Sequence, residues 1–223
     1  MTTNPFSKHY SFVLLAGEPL GAPTLRALCD ANITPHSLVC NPDRARGRGQ
    51  RLTPPPVKAI AEQNDIPVLQ PAKPGHDPAL HKLLSQVDLA VVVAYNHILP
   101  ASLISAPRFG TINIHPSLLP KLRGPSPIRS AILYDEPENV GVSIMQMDEG
   151  LDTGPVLKKQ AVPIRPTTTS QSLHDELSAI GSAMIYRTIN FIAEGEPPDH
   201  EIQDDENATY APLLNKDDGH IDW

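Results

Sequence analysis

Apolar residues along this chain fall in short unbroken runs that alternate with segments of helical period. Residues 11–16 (SFVLLA), 35–40 (PHSLVC), 66–69, 89–94 (LAVVVA) and 111–115 (TINIH) have strand length. The run at 89–94 shows no polar alternation, which suits a strand buried on both faces of a parallel sheet. Residues 19–32, 57–64 and 79–85 read as helices between these runs. Such alternation predicts a doubly wound α/β domain with a mostly parallel sheet and right-handed crossovers. Residues 141–147 and 156–164 predict two more strands, separated by a turn rich in Asp and Gly. Across 170–194, Leu173, Leu177, Ile180, Met184, Tyr186, Ile189 and Ile192 mark one face of an amphipathic helix. Residues 41–56 read as a polar, basic loop, and from Gly195 onward the chain turns acidic and loop-like.

Composition narrows the class. The chain has 223 residues, 40% apolar and 19% charged, enough for a substantial core in one or two domains. Its 25 prolines cluster between apolar runs, as loop punctuation. A formal net charge of −7 argues against a general polyanion binder. The exception is local: Arg44, Arg46, Arg48 and Arg51 follow one another with no acidic residue between them. Such a run is either a solvated loop or a contact for one particular polyanion. Cys29 and Cys40 form no CxxC motif, which predicts two buried free thiols in a reducing compartment and no metal site. The chain shows neither a signal peptide nor an apolar run near the roughly 18 residues of a membrane span, so a cytoplasmic location is expected. Neither GxGxxG nor a P-loop follows the first strand, where the sequence reads Gly17-Glu18-Pro19-Leu20-Gly21. Dinucleotide and nucleoside triphosphate readings therefore lose their best support.

Open parallel sheets place their sites at the carboxyl ends of strands. Two such ends carry candidate chemistry. Asn113 and His115 lie two apart on a predicted strand, so their side chains share one side. Residues 148–154 (DEGLDTG) form an acidic turn after a buried-looking strand. An imidazole can move protons near neutral pH, and a carboxylate such as Asp152 can orient it and favour its charged form. An amide such as Asn113 can donate to an oxyanion as a carbonyl turns tetrahedral. Together the three would serve acyl transfer to an amine without a nucleophilic Ser or Cys. The alternative is structural: a strand-end His held by hydrogen bonds and an Asp-Gly turn that caps a connection.

Residues 113–124 (NIHPSLLPKLRG) followed by 150–154 (GLDTG) closely resemble the folate-dependent formyltransferase family. The resemblance covers about residue 11 to the end of the chain and implies the Rossmann-like formyltransferase fold. It implies catalytic roles for Asn113, His115 and Asp152, with 10-formyltetrahydrofolate as co-substrate and no metal. Tyr95, Asn96, His97, Ile98, Leu99, Ser117, Leu118, Leu119, Pro120, Asp148 and Gly150 would line the folate site. Residues 41–58 (NPDRARGRGQRLTPPPVK), 143–147 and 209–223 resemble the branch of the family that formylates methionyl-tRNA. That implies initiator Met-tRNA as partner, with Arg44, Arg46, Arg48 and Arg51 on its phosphates. By the same resemblance, residues 1–205 would form the catalytic domain of a monomer, and 206–223 would begin a linker to an absent C-terminal domain. The sequence departs from the family at Asn96, where many members have Gly after Ala-Tyr, and at Pro125-Ser126-Pro127, where Ala-Ala-Pro is common. Transfer to a sugar amine by the same chemistry, or a non-catalytic folate- or RNA-binding module, are the alternatives.

Overall fold

The structure, a computed structural model, describes residues 10–46, 49–134, 137–195, 199–215 and 218. The strands β1 (Phe12–Ala16), β2 (Ser37–Cys40), β5 (Val68–Leu69), β6 (Leu89–Val93), β7 (Thr111–His115), β8 (Gly141–Gln146) and β9 (Val156–Ala161) form one sheet. Its order is β5-β2-β1-β6-β7-β8-β9. The strands from β5 to β7 are parallel, while β8 and β9 are each antiparallel to their predecessors. The chain therefore winds outwards from β1 in one direction and then in the other, as the strand–helix alternation predicts.

Every residue of β1 and β6 is buried, and alternate side chains serve opposite faces. On one face Leu14, Val91, Ile112, Ile114, Val142 and their neighbours form the larger core with α1 (Gly21–Asp30), α2 (Pro56–Gln63) and α6 (Ser170–Ala193). On the other, Val13, Leu15, Ala90 and Val92 pack under α3 (Pro78–Leu84) and α4 (Ala101–Ile104). That second face is differently covered beyond β6. There, among the described residues, Leu119, Met145 and Val156 cluster without a helix residue. On that face of β7 and β8 Thr111, His115, Ser143 and Met145 are buried, in part under the loop that carries Leu119, and the candidate chemistry stands there.

Local signals explain the helix ends. Asp77 caps α3 by accepting from the N–H groups of Ala79 and Leu80, with Pro78 in the first turn. A capping box between Thr169 and Ser172 starts α6. Within α6 the small residues Ser178, Gly181 and Ser182 are buried and allow close packing. A Cβ on Gly181 would lie 3.0 Å from Ile114, and Ser182 Oγ reaches Thr24 Oγ1 on α1 at 3.3 Å.

Two features differ from the sequence expectation. Residues 41–56 contain a hairpin, in which β3 (Arg44–Arg46) pairs antiparallel with β4 (Arg51–Thr53). Alternating Arg-Ala-Arg has no apolar face, so periodicity gave no strand signal. The short helices α4 and α5 (Pro127–Leu133) occupy proline-bounded stretches too brief to show a helical repeat.

Candidate active site

His115, the last residue of β7, is 4% exposed. Its Nε2 lies 2.9 Å from the carbonyl oxygen of Leu122 and therefore carries a proton, since that oxygen can only accept. Nδ1 is then the nitrogen whose lone pair is open in the neutral ring. It lies 3.6 Å from Asp152 Oδ2. That separation is a close charge–ring contact, longer than a formed hydrogen bond. The Asp152 carboxylate is anchored elsewhere, accepting from the Gly124 N–H at 2.8 Å. Asn113 is half-buried on the same side of β7, and among the described residues its carboxamide has no side-chain hydrogen bond. The structure thus brings together the three residues singled out as catalytic.

Backbone strain gathers here. Ala94, Leu122 and Asp152 have φ of 49°, 56° and 55°. Non-glycine residues in the left-handed region each cost about 1–3 kcal/mol and concentrate at functional sites. Leu122 offers its carbonyl to His115 from this conformation, and Asp152 aims its carboxylate from it. Close backbone approach adds to the shape. A Cβ at Gly17 would drive into the Ala94 carbonyl oxygen, so the ends of β1 and β6 meet only because this residue is glycine.

The residues expected to line a folate site divide into two groups. Asn96 and Ile98 are open, Ile98 being 95% exposed, and His97 is half-buried. Asp148 and Gly150 are exposed in the turn, where Asp148 Oδ1 accepts from the Gly150 N–H at 3.0 Å and from Thr153 Oγ1 at 2.7 Å. Leu118 and Pro120 are half-buried. By contrast, Tyr95 and Leu99 point into the core beneath α3 and α4. Ser117 and Leu119 are buried, and Ser117 Oγ donates to the Lys121 carbonyl at 2.6 Å. The side chains of these four residues are buried in the protein interior.

His97 Nε2 lies 2.7 Å from Asn41 Oδ1, tying the end of β6 to the end of β2. Burial, and then the charge of Arg44, hold the His97 pKa below the usual histidine value. A crevice at these strand ends is lined by Gly17, Glu18, Asn41, Arg44 and Asn96 among others. It sits beside β1, where the winding reverses, the customary ligand position in such sheets. The base of the arginine hairpin is clamped: Lys58 Nζ binds Asp43 at 3.0 Å, and Gln70 reaches both Asp43 Oδ1 at 2.8 Å and the Asn41 carbonyl at 2.7 Å. Arg44 and Arg51 are exposed. The side chain of Arg46, and all of Arg48, lie outside the described residues. Among the described residues no three His, Cys, Asp or Glu side chains are grouped as metal ligands would be. Nor is any helix there long and apolar enough to cross a membrane.

Sequence reasoning missed several residues that hold the site. Ser143, opposite His115 on β8, donates from Oγ to the Ser117 carbonyl at 2.7 Å and accepts from the Leu119 N–H at 3.1 Å. Thr209 Oγ1 accepts from the Leu122 N–H at 2.9 Å. Gln203 donates to the Asp152 and Gly154 carbonyls at 2.9 and 2.6 Å. Packing runs past residue 205, with Ala211 fully buried.

Comparison with known proteins gives a consistent picture. The family profile described as formyl transferase matches residues 13–189. The methionyl-tRNA formyltransferase of Geobacter sulfurreducens is 45% identical over 213 residues, spanning 95% of this chain and 67% of that protein. That of Stutzerimonas stutzeri is 46% identical over 214 residues, with 95% and 67% covered. Among solved structures, a phosphoribosylglycinamide formyltransferase from Anaplasma phagocytophilum superposes with a TM-score of 0.70 at 22% identity, covering 84% of this chain and 89% of its own. A sugar N-formyltransferase from Shewanella gives 0.69 at 18% identity, covering 97% and 84%. At those identities the two structures speak for the shared fold alone.

Proposed function

We propose that this chain, which belongs to the formyl transferase family, moves a formyl group from 10-formyltetrahydrofolate to the amino group of methionine carried on initiator tRNA. The observation that carries the reading is an unpaired Asn113 amide beside a buried His115 whose Nδ1 faces Asp152 at 3.6 Å. The co-substrate supplies the formyl carbon as the electrophile. The folate would lie between residues 95–100 and the 148–154 turn, with the exposed Ile98 and Leu151 as apolar surface and the backbone of Tyr95 and Leu99 as polar partners.

The roles follow from the donors. When an amine adds to a carbonyl carbon, negative charge builds on the oxygen, and the Asn113 N–H groups, committed to nothing else, can donate to it. His115 donates through Nε2 to Leu122, so its Nδ1 takes up the proton released by the amine and returns it to the folate nitrogen as the bond from that nitrogen to the formyl carbon breaks and tetrahydrofolate leaves. Asp152 orients the ring and faces the resulting positive charge. One oxyanion donor is worth roughly 3–4 kcal/mol of barrier, or about 100- to 1,000-fold in rate. Arg44 and Arg51, with Arg46 and Arg48 between them in the sequence, give the acidic chain a local cationic segment for tRNA phosphates. The identity to methionyl-tRNA formyltransferases supports that acceptor over a sugar amine. We place the enzyme in the cytoplasm as a monomer. Its catalytic unit runs through Ala211, whose burial extends the packed domain beyond residue 205.

The test is a formylation assay with 10-formyltetrahydrofolate and initiator Met-tRNA, run beside a nucleotide-linked amino sugar. Formyl-Met-tRNA should form, and Asn113→Ala and His115→Ala should each lose at least 100-fold in kcat while remaining folded. Product on the sugar alone would reassign the acceptor. A folded His115→Ala variant with wild-type turnover would remove the mechanism.

A further inference from the structure

The stretch after residue 199 reads in the sequence as an acidic loop, yet it binds both halves of the site. Glu201 pairs with Val156 at the start of β9, each N–H meeting the other's carbonyl at 2.8 Å. Two residues later Gln203 is 9% exposed. Its Nε2 donates to the carbonyls of Asp152 at 2.9 Å and Gly154 at 2.6 Å. Its Oε1 accepts from Arg123 Nε at 3.0 Å. The carboxamide orientation is fixed by these partners, since two carbonyl oxygens can face only the NH2 end and a guanidinium only the oxygen. Arg123 lies between Leu122, whose carbonyl holds His115, and Gly124, whose N–H holds the Asp152 carboxylate. Its guanidinium also reaches Asp205 Oδ1 at 2.8 Å. Beyond, the Thr209 carbonyl accepts from the Arg123 N–H at 2.9 Å, and the Arg123 carbonyl accepts from the Ala211 N–H at 2.7 Å.

We infer that Gln203 is a positioning residue for formyl transfer, pinning the loop that carries Asp152 to the loop that holds His115. The inference rests on the catalytic reading of that pair. Gln203 touches no reacting atom. It acts because one buried side chain spans the backbone of Asp152 and the segment between Leu122 and Gly124. The separation between Asp152 and His115 Nδ1 is therefore set partly from outside both residues. Asp205 contributes little to this, because its carboxylate is 81% exposed and such pairs are weak.

Two variants and a control test it on the full chain. Gln203→Ala removes all three bonds. Gln203→Glu keeps the size and the Arg123 partner but turns a carboxylate oxygen towards two carbonyls. Glu201→Gln removes only the charge from the exposed bridge to Lys159 and serves as control. Expected for both Gln203 variants is a fall in kcat of about tenfold or more with KM for either substrate within about twofold, as for the loss of two buried donors. Combined with Asp152→Asn, Gln203→Ala should add little, because both act through one carboxylate. Amide hydrogen exchange gives a readout that needs no turnover: Gly124 protection should fall in the Gln203 variants and hold in Glu201→Gln. Wild-type kcat together with wild-type Gly124 protection would overturn the inference, as would full additivity with Asp152→Asn or a loss confined to KM. A wild-type chain forming no product on any acceptor would instead sink the catalytic reading, and the exchange result would then decide the positioning role by itself.

Discussion

Replacing Ser143 with alanine measures how much of the site is held from behind. Ser143 is fully buried in β8, directly across from His115. Its hydroxyl donates to the Ser117 carbonyl at 2.7 Å and accepts from the Leu119 N–H at 3.1 Å, fixing the first turn after β7. Alanine removes one donor and one acceptor at once and leaves both backbone groups buried. A typical hydrogen bond contributes about 1 kcal/mol net, and an orphaned buried group costs about 1–3 kcal/mol. Two such groups, partly relieved by relaxation of the loop, give an expected loss of about 2–4 kcal/mol. With a urea m-value of about 2–3 kcal/mol/M, the unfolding midpoint should drop by about 1 M with the slope unchanged. Turnover should fall as well, since the same loop ends in the Leu122 carbonyl that holds His115. A midpoint within about 0.2 M of wild type at equal slope would refute the claim that this hydroxyl closes the loop.

The histidine at the strand ends makes a pH prediction. Because burial and Arg44 lower the folded-state pKa of His97, the unfolded chain takes the proton first as pH falls. The stability it contributes is present above the unfolded value of about 6.5 and is lost as pH falls through the lower folded one. His97→Gln should flatten that acid-side decline in urea midpoints. Arg44→Ala should move the His97 NMR titration midpoint upward, and an unmoved midpoint would remove Arg44 as a cause. On the hairpin, Arg44→Ala and Arg51→Ala should each raise KM for tRNA, reduce its salt dependence by about one counterion and leave KM for the folate unchanged. Equal loss of folate binding would contradict a tRNA role. Burial pushes the Cys40 thiol up to about 11, so native-state alkylation near pH 8 should label Cys29, which is half-buried, well before Cys40. Comparable labelling rates would show that the β2 end opens readily.

The strands were legible because each buried run is unbroken and bounded by turn residues, and α6 because its apolar face repeats over many turns. Asn113 and His115 were legible as a pair because a strand places residues two apart on one side. Ser143, Gln203 and Thr209 left no such trace. Their partners are backbone groups of segments far away in sequence, and such partners impose neither period nor motif on the residue that meets them. Tyr95 and Leu99 show another limit: the side chain of an apolar residue in a candidate binding segment can as readily face the core, as these two do, and the alternation of strand and loop does not decide which.

Asp152 shows why the supporting residues are needed at all. The rule that sites collect at the carboxyl ends of strands holds for His115 on parallel β7 but not for the strand that precedes Asp152. β8 runs antiparallel, with Ser143 opposite His115 and Gln146 opposite Ile112, so its carboxyl end lies three residues below the site. At roughly 3.3 Å per residue, the 147–155 loop must climb back about 10 Å across the sheet face to bring Asp152 to His115. Its start is pinned by the Met147 N–H to the Thr111 carbonyl at 2.8 Å, and Gly154 packs so closely on Gln146 that a Cβ would strike the Gln146 carbonyl. Between those points no sheet ladder and no helix holds the loop. Asp152 instead sits in the left-handed region, fastened by the Gly124 N–H at its carboxylate and by Gln203 at its carbonyl. The reversal of β8 thus leaves Asp152 on a loop outside the sheet, and the segment from Glu201 to Ala211 supplies the rigidity that the same reversal takes away.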